Sequence, residues 1–593
     1  MRMLVGLTIV AFSLTAQAFE ISVKDYGAIG DGETDNTAAF QAALDTAAEA
    51  GGGIVKVPAG QYRFDGTLAI PGGVTLQGTF LVPPTDQREG RVNLDGSVLK
   101  PYAGRGDPDG EPFIRLAGSM ATLAGFMITY PEWSLDDVPP VPYPPTVYAG
   151  GPEPQYTVAN VAVLDTCFLN SYEAIKFEHA GRHFVRNVMG YPSKRGLYVD
   201  GCYDIGRVEN VHFWPFGTHY DIDNRYSDWV NKNGVAFEFA RTDWQYVFNT
   251  FCFGYGVGYK FSESEHGSCN GSFIGIGADS CHRAVLVEQA QNPAILITNG
   301  EFVGAWGTDD SITIEITESA TDGKVSLKNC AFWGPIERAV WNRSDKTQFT
   351  SIGSYIQSWD TGATGAPAIH LDGKAKAILQ GNTFGVGHTH VRVESDVTSA
   401  IILGNQAEGG MHIDNQAGNR TQMGFNEQHP VDWDAVGDDT RAHYRVDIGV
   451  PNDRPYVIGW NGLEPALEWP GDEGTKRWSS RDSRLKLPVL PDRDYIITAD
   501  VYIPSFAMEP DMGLVVEGEL VAPFPQEEGV HTVTGELPAT GLDTITMEVR
   551  CNAWQPKEEG LGNDIRWLGV AVRSITLQAV DTDAPLFDAC KGE

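Results

Sequence analysis

Carboxylates, cations and aromatic residues recur at matching places in successive short segments of this chain. Tyr172 and Glu173 come first, then Lys194 and Arg195, then Tyr255, then Asp279 with His282 and Arg283. Glu337 with Arg338, and His388 with His390, hold the same place farther on. An insertion between the second and third sets, HYDIDNRYSDWVNKNG (His219 to Gly234), adds Tyr220, Asp221, Asp223, Tyr226, Asp228 and Trp229. These residue types suit chemistry on sugars. Aromatic faces stack on sugar rings, and two carboxylates cleave a glycosidic bond when they stand about 5–5.5 Å apart for retention or roughly 6.5–9.5 Å for inversion. A lyase acting on a uronic acid needs instead cations to neutralise the sugar carboxylate and a Lys, Arg, His or Tyr base to take the C5 proton.

Such residues meet only if the segments stack. The segments VLDTCFLNSYEAIKFE, VRNVMGYPSKRGLYVD, VENVHFWPFG, FNTFCFGYGVGYKFS, CNGSFIGIGADSCHRAVLVE, ITNGEFVGAW, LKNCAFWGPIERAVWN, LQGNTFGVGHTHVRVE and ILGNQAEGGMHID are degenerate copies of one unit. Asn187 and Asn210 are 23 residues apart, as are Asn382 and Asn405, and Asn249 to Asn270 is 21. A period near two dozen with several short strands per copy predicts a parallel β-helix. Asn side chains would then form a ladder at one turn, with Cys167, Cys252 and Cys330 packed inward as small hydrophobes. Neighbouring coils lie about 5 Å apart, which places Glu173 and Asp221 within reach of Lys194 and Arg195. Glu178, Asp200, Glu288, Asp372, Glu394 and Asp414 recur where strands close and read as a turn ladder.

The exposed first coil of a solenoid must be covered. Asn36 to Ala50 carries Ala39, Phe40, Ala43, Leu44 and Ala47 at helical spacing and is stopped by Gly51 to Gly53. It predicts a capping helix, with Asp31, Glu33 and Asp35 in the turn before it at the favourable end of the helix dipole. The whole stretch VKDYGAIGDGETDNTAAFQAALDTAAEAGGGIVKVPAGQYRF resembles the N-terminal signature of the pectate-lyase-like superfamily, which includes polygalacturonase-type hydrolases, laminarinase-type glucanases and polysaccharide lyases. The resemblance implies a right-handed parallel β-helix and a polysaccharide substrate, with polygalacturonase-like acids at the turn that carries Glu173 and Asp279. The polygalacturonase motifs NTD, DD, GHG and RIK do not occur in order, and EHGSCNG (Glu265 to Gly271) is only a faint echo of one of them.

The remaining expectations concern the whole chain of 593 residues. Residues 1–18, with Arg2, an apolar run and a closing AQA, read as a cleaved secretory signal, which predicts a secreted or periplasmic protein. The net charge of −35 argues against nucleic acid and against an anionic membrane surface as partners. Residues 19–415 are expected to form the all-β catalytic solenoid, 416–440 a linker, and 441–593 an antiparallel β-sandwich of accessory type, from the alternating strands in DYIITADVYIP, GLVVEGEL, DTITMEVRCNAW and GVAVRSITLQAV. Cys551 with Cys590, or Cys269 with Cys281, are candidate disulfides. The preferred reading is a glycoside hydrolase with Asp221 and Asp279 as the acid/base pair and Glu173 assisting. Lys194, Arg195, His219, Tyr220, Asp223, His282 and Arg283 would contact the poly- or oligosaccharide, and Tyr226 and Trp229 would form subsites. The alternatives are a uronate lyase and a non-catalytic glycan-binding solenoid. No metal site is predicted and no cofactor is required, although Ca2+ held by carboxylates is compatible with the sequence.

Overall fold

The computed structural model describes residues 19–83, 94–150, 158–216, 225–385, 389–407, 410–427, 433, 436–450, 453, 455–469 and 474–590. The cap is helix α1 (Thr37–Glu49), which buries Phe40, Ala43, Leu44 and Ala47. Phe40 meets Tyr62 and Phe64 edge-on at 5.2 and 4.9 Å, so the plug is seated by aromatic contacts as well as by burial. Asp31–Asp35 forms a strand rather than a free turn. Its acids satisfy backbone donors: Asp31 accepts from the Glu33 and Thr34 amides, and Asp35 accepts from the Thr37 amide at 3.0 Å and the Asp65 amide at 3.1 Å. The Thr34 and Glu33 amides draw the Asp31 carboxyl down to about 2. The cluster therefore organises the cap.

Behind the cap the chain winds into a right-handed parallel β-helix. One wall is a 13-stranded sheet, and the rest of the coil belongs to a 26-stranded sheet to which most coils give two strands, or one long strand bent in its middle. The bend between those two strands needs a left-handed residue. In register, the position passes through Asp165, Asn187, Asn210, Asn249, Gly275, Asn299, Asn329, Gly353, Gly381 and Gly404, all with φ between 50° and 64°. Only Gly and short side chains that bond locally tolerate that backbone. The expected ladder forms: the Asn187, Asn210 and Asn249 amides donate in turn to Asp165, Asn187 and Asn210 at 2.8–3.1 Å. Asn270 is not part of it. Its spacing from Asn249 is a coincidence, because Ile274, not Asn270, precedes the matching bend. Asn210→Ala should cost about 1–2 kcal/mol by breaking two ladder bonds at a strained φ, whereas Asn210→Gly should cost less; thermal unfolding of the two variants checks this order.

Inside, apolar side chains stack coil on coil, as where Phe237 lies flat on Tyr259 at 4.7 Å. Cys167, Cys252 and Cys330 are buried as expected, but no disulfide forms among the described residues. Neither predicted disulfide is present, because strand register and not a crosslink holds those segments. The solenoid also runs farther than residue 415: Thr421–Gly424 pairs parallel with Ser399–Leu403, and the Asn405 amide donates to Asn426 at 3.0 Å. A polar stretch read as linker is thus a last coil, held by a second Asn ladder. After a short helix at Asp438–Ala442, a seven-stranded and a five-stranded sheet pack as the sandwich over His443–Asp588. Among the described residues no helix is long and apolar enough to cross a membrane.

Candidate functional site

The turn alignment read from the sequence matches the register: Glu173, Arg195, Val235, Val257, Arg283 and Ile312 pair in succession across the 13-stranded sheet. Outward residues there form a ladder of alternating charge. Arg195 bridges Glu173 and Glu238, each at 3.0 Å, and Lys260 links Glu238 and Glu288 at 3.7 and 3.2 Å. Farther along, Glu315 is held between Arg283 and Arg343. Burial works against the Arg195 charge, but Glu173 and Glu238 keep its pKa above the ordinary guanidinium value. Glu173 is therefore committed to an ion pair with Arg195.

The insertion lands at the corner between the two sheets. Its residues Arg225–Asn233 form helix α2. The Asn231 amide donates to the Ser280 carbonyl at 2.8 Å, and the Lys194 ammonium reaches the Asn233 carbonyl at 3.5 Å, a cation at a helix C-terminus. Tyr226 is not an exposed subsite: it is 1% exposed, and the Trp133 indole donates to its hydroxyl at 2.8 Å. The 3.6-residue period turns it inward as the anchor of α2. Trp229 is half-buried and packs on the same core. His219, Tyr220, Asp221 and Asp223 lie outside the described residues. His282 sits beside Asp310 at 3.7 Å, and burial lowers its pKa, which favours a neutral imidazole.

Asp279 stands on the other side of that corner, on the outer face of the larger sheet, in register with Phe253. Its Oδ1 is buried without a hydrogen-bond partner. Burial, reinforced by the charge of Glu301 and opposed by the Trp306 indole N–H, pushes the carboxyl up to about 6. Glu301 is on the next strand and the same face, since it pairs with Gly277, two residues before Asp279. It is exposed and accepts from the Trp333 indole at 3.1 Å. Aromatic pairs flank the two acids: Trp214 with Phe253 at 6.2 Å on the earlier coils, and Trp306 with Trp333 at 6.3 Å on the later ones. Trp306 is 51% exposed. The turn after it, Gly307 to Asp309, faces Gln555, Lys557 and Trp567 of the sandwich across a cavity of about 520 Å³. Sequence reading names Asp279 as a candidate but not its neighbours Glu301, Trp214, Trp306 or Trp333. The available signal was the Glu of ITNGEFVGAW, at a place where the next coil has Ala331.

Residues 20–123 match the model of the family described as rhamnogalacturonase A/epimerase, pectate lyase-like. That match covers the cap and first coils and ends before the Asp279 coil. Among characterised proteins, mannuronan C5-epimerase AlgE3 of Azotobacter vinelandii is 50% identical over 66 residues, which cover 10% of this chain and 4% of that protein. Alginate lyase 7 of the same organism is also 50% identical over 66 residues, covering 10% and 8%. The matched stretch thus spans less than a tenth of either relative's length. The solved A-module of the A. vinelandii epimerase AlgE6 aligns with 69% of this chain and 100% of that chain, at 15% identity and a TM-score of 0.41.

Proposed function

We propose that the protein is an exported polysaccharide-degrading enzyme, a glycoside hydrolase whose general acid is Asp279. The observation that carries this reading is the Asp279 carboxyl itself, half-buried, with one oxygen unbonded and its pKa raised to about 6. Such a group still holds its proton in mildly acidic solution and can give it to a leaving glycosidic oxygen. Glu301 is the second carboxylate, aligned by Trp333, and activates the water. Strand geometry sets the two backbones roughly 8 Å apart on one outer face. Trp306 and Trp333 on one side, and Trp214 and Phe253 on the other, offer faces for the sugars on either side of the cleaved bond.

Uronate chemistry is the second reading. It is supported by the names of the characterised relatives and by the neutral His282 beside Arg283, a base next to a cation. Digestion of a glycan panel separates the two. Hydrolysis releases reducing ends alone, whereas a lyase also produces the ultraviolet absorbance of an unsaturated uronate. Neither signal across a broad panel would leave a binding solenoid. On a cleaved glycan, Trp306→Ala should raise KM about tenfold with a smaller effect on kcat, because a stacking platform binds ground state and transition state alike.

A further inference from the structure

On the outer face of the 13-stranded sheet, His370, Asp372 and Glu394 form the one group of three potential metal ligands found among the described residues, with donor atoms all within 4.8 Å of one another. His370 and Glu394 come from adjacent coils, since His370 pairs with Arg392 in strand register. The cluster begins three coils along the solenoid from Asp279 and belongs to a different sheet, so it is separate from the proposed catalytic pair.

Two features distinguish it from a chance meeting of surface acids. The first is that a nitrogen ligand is already in place and shielded. His370 is 8% exposed, its Nε2 lies 2.9 Å from the Glu394 Oε1, and its Nδ1 has no partner. The second is that Trp341 fixes two of the three groups. Its ring lies parallel to the imidazole, 2° off at 5.8 Å, and its indole N–H donates to the Asp372 Oδ2 at 3.2 Å. A hydrogen bond to a ligating carboxylate is the outer-shell support that metal sites use.

We propose that His370, Asp372 and Glu394 bind a divalent transition-metal ion, Zn2+ or Mn2+, that clamps two adjacent coils of the β-helix. One imidazole and two carboxylates suit such ions, whereas Ca2+ takes six to eight oxygens. Donors around a bound zinc are about 3–3.5 Å apart. The His370–Glu394 edge, at 2.9 Å, is already close to that spacing, and all donor atoms lie within 4.8 Å of one another.

The test is calorimetric titration of the EDTA-stripped full-length protein with ZnCl2, MnCl2 and CaCl2 in separate runs. Zn2+ or Mn2+ should fill one saturable site and raise the unfolding temperature. Glu394→Gln keeps the shape and the hydrogen bond to His370 but removes a charged ligand; it should weaken binding by about 10–100-fold or more and abolish the thermal shift. Asp372→Asn should act likewise, and circular dichroism matching wild type shows that both variants are folded. Equal binding by wild type and both variants, no saturable transition-metal binding by wild type, or a preference for Ca2+ would each overturn the assignment.

Discussion

Asp279→Asn is expected to lower kcat by about 10²–10⁴-fold with little change in KM, the loss that follows removal of a positioned proton donor. The amide keeps the size of the carboxyl and can still accept from the Trp306 indole, so stacking subsites and fold stay intact. In wild type, kcat should fall as pH rises through about 6, since the acid form of Asp279 is the active one. Stability should move in a linked way. The folded-state value of about 6 lies above the ordinary carboxyl value of 3.8, so between these the native state binds more protons than the unfolded chain. Wild type therefore loses stability as pH climbs across that window, and the variant, which has no charge to bury, does not. At pH 8 Asp279→Asn should be at least as stable as wild type while almost inactive. An inactive variant that is also unstable at every pH would mean that Asp279 is a packing residue. A variant with near-normal turnover would place the acid elsewhere.

The solenoid was legible because its requirements repeat. A left-handed bend in each coil calls for Asn or Gly, and that demand shows in the sequence as Asn187, Asn210 and Asn249. The cap was legible for a similar reason, because Phe40, Ala43, Leu44 and Ala47 share one helical face. Asn270 misled because a 21-residue spacing ignores the strand lengths that set the real register. The site was half legible. Turn alignment correctly stacked Glu173, Arg195 and Arg283, but sequence cannot show that Arg195 and Arg283 are already occupied by Glu238 and Glu315. Nor could it tell Tyr226, turned into the core, from a sugar platform. Glu301 escaped notice because it lies on the larger sheet, one strand from Asp279. Only the register reveals that the two carboxylates share an outer face.

Asp453→Ala should be the most damaging single substitution for folding, and its effect should be confined to the sandwich. Asp453 and Arg477 are both 0% exposed and meet in a two-pronged pair, with Arg477 Nε at 2.7 Å from Oδ2 and Nη2 at 2.9 Å from Oδ1. The same guanidinium donates to the Asn461 carbonyl at 3.0 Å, and Asp453 also accepts from the Gly449 amide. Bringing both ions in from water is costly, so the intact pair need not add net stability. Removing the carboxylate alone is different, because it strands a buried cation and an amide donor. That imbalance costs about 3–5 kcal/mol, a large fraction of what holds a domain of this size together. Calorimetry should show the sandwich transition shifted down or lost while the solenoid transition stays in place, since Asp453 touches only sandwich residues. The double variant Asp453→Leu with Arg477→Met separates the causes. If the stranded charge is responsible, the double variant should recover most of the loss. If it unfolds as readily as Asp453→Ala, the hydrogen bonds to Asn461 and Gly449, and not the charge balance, hold these strands in place.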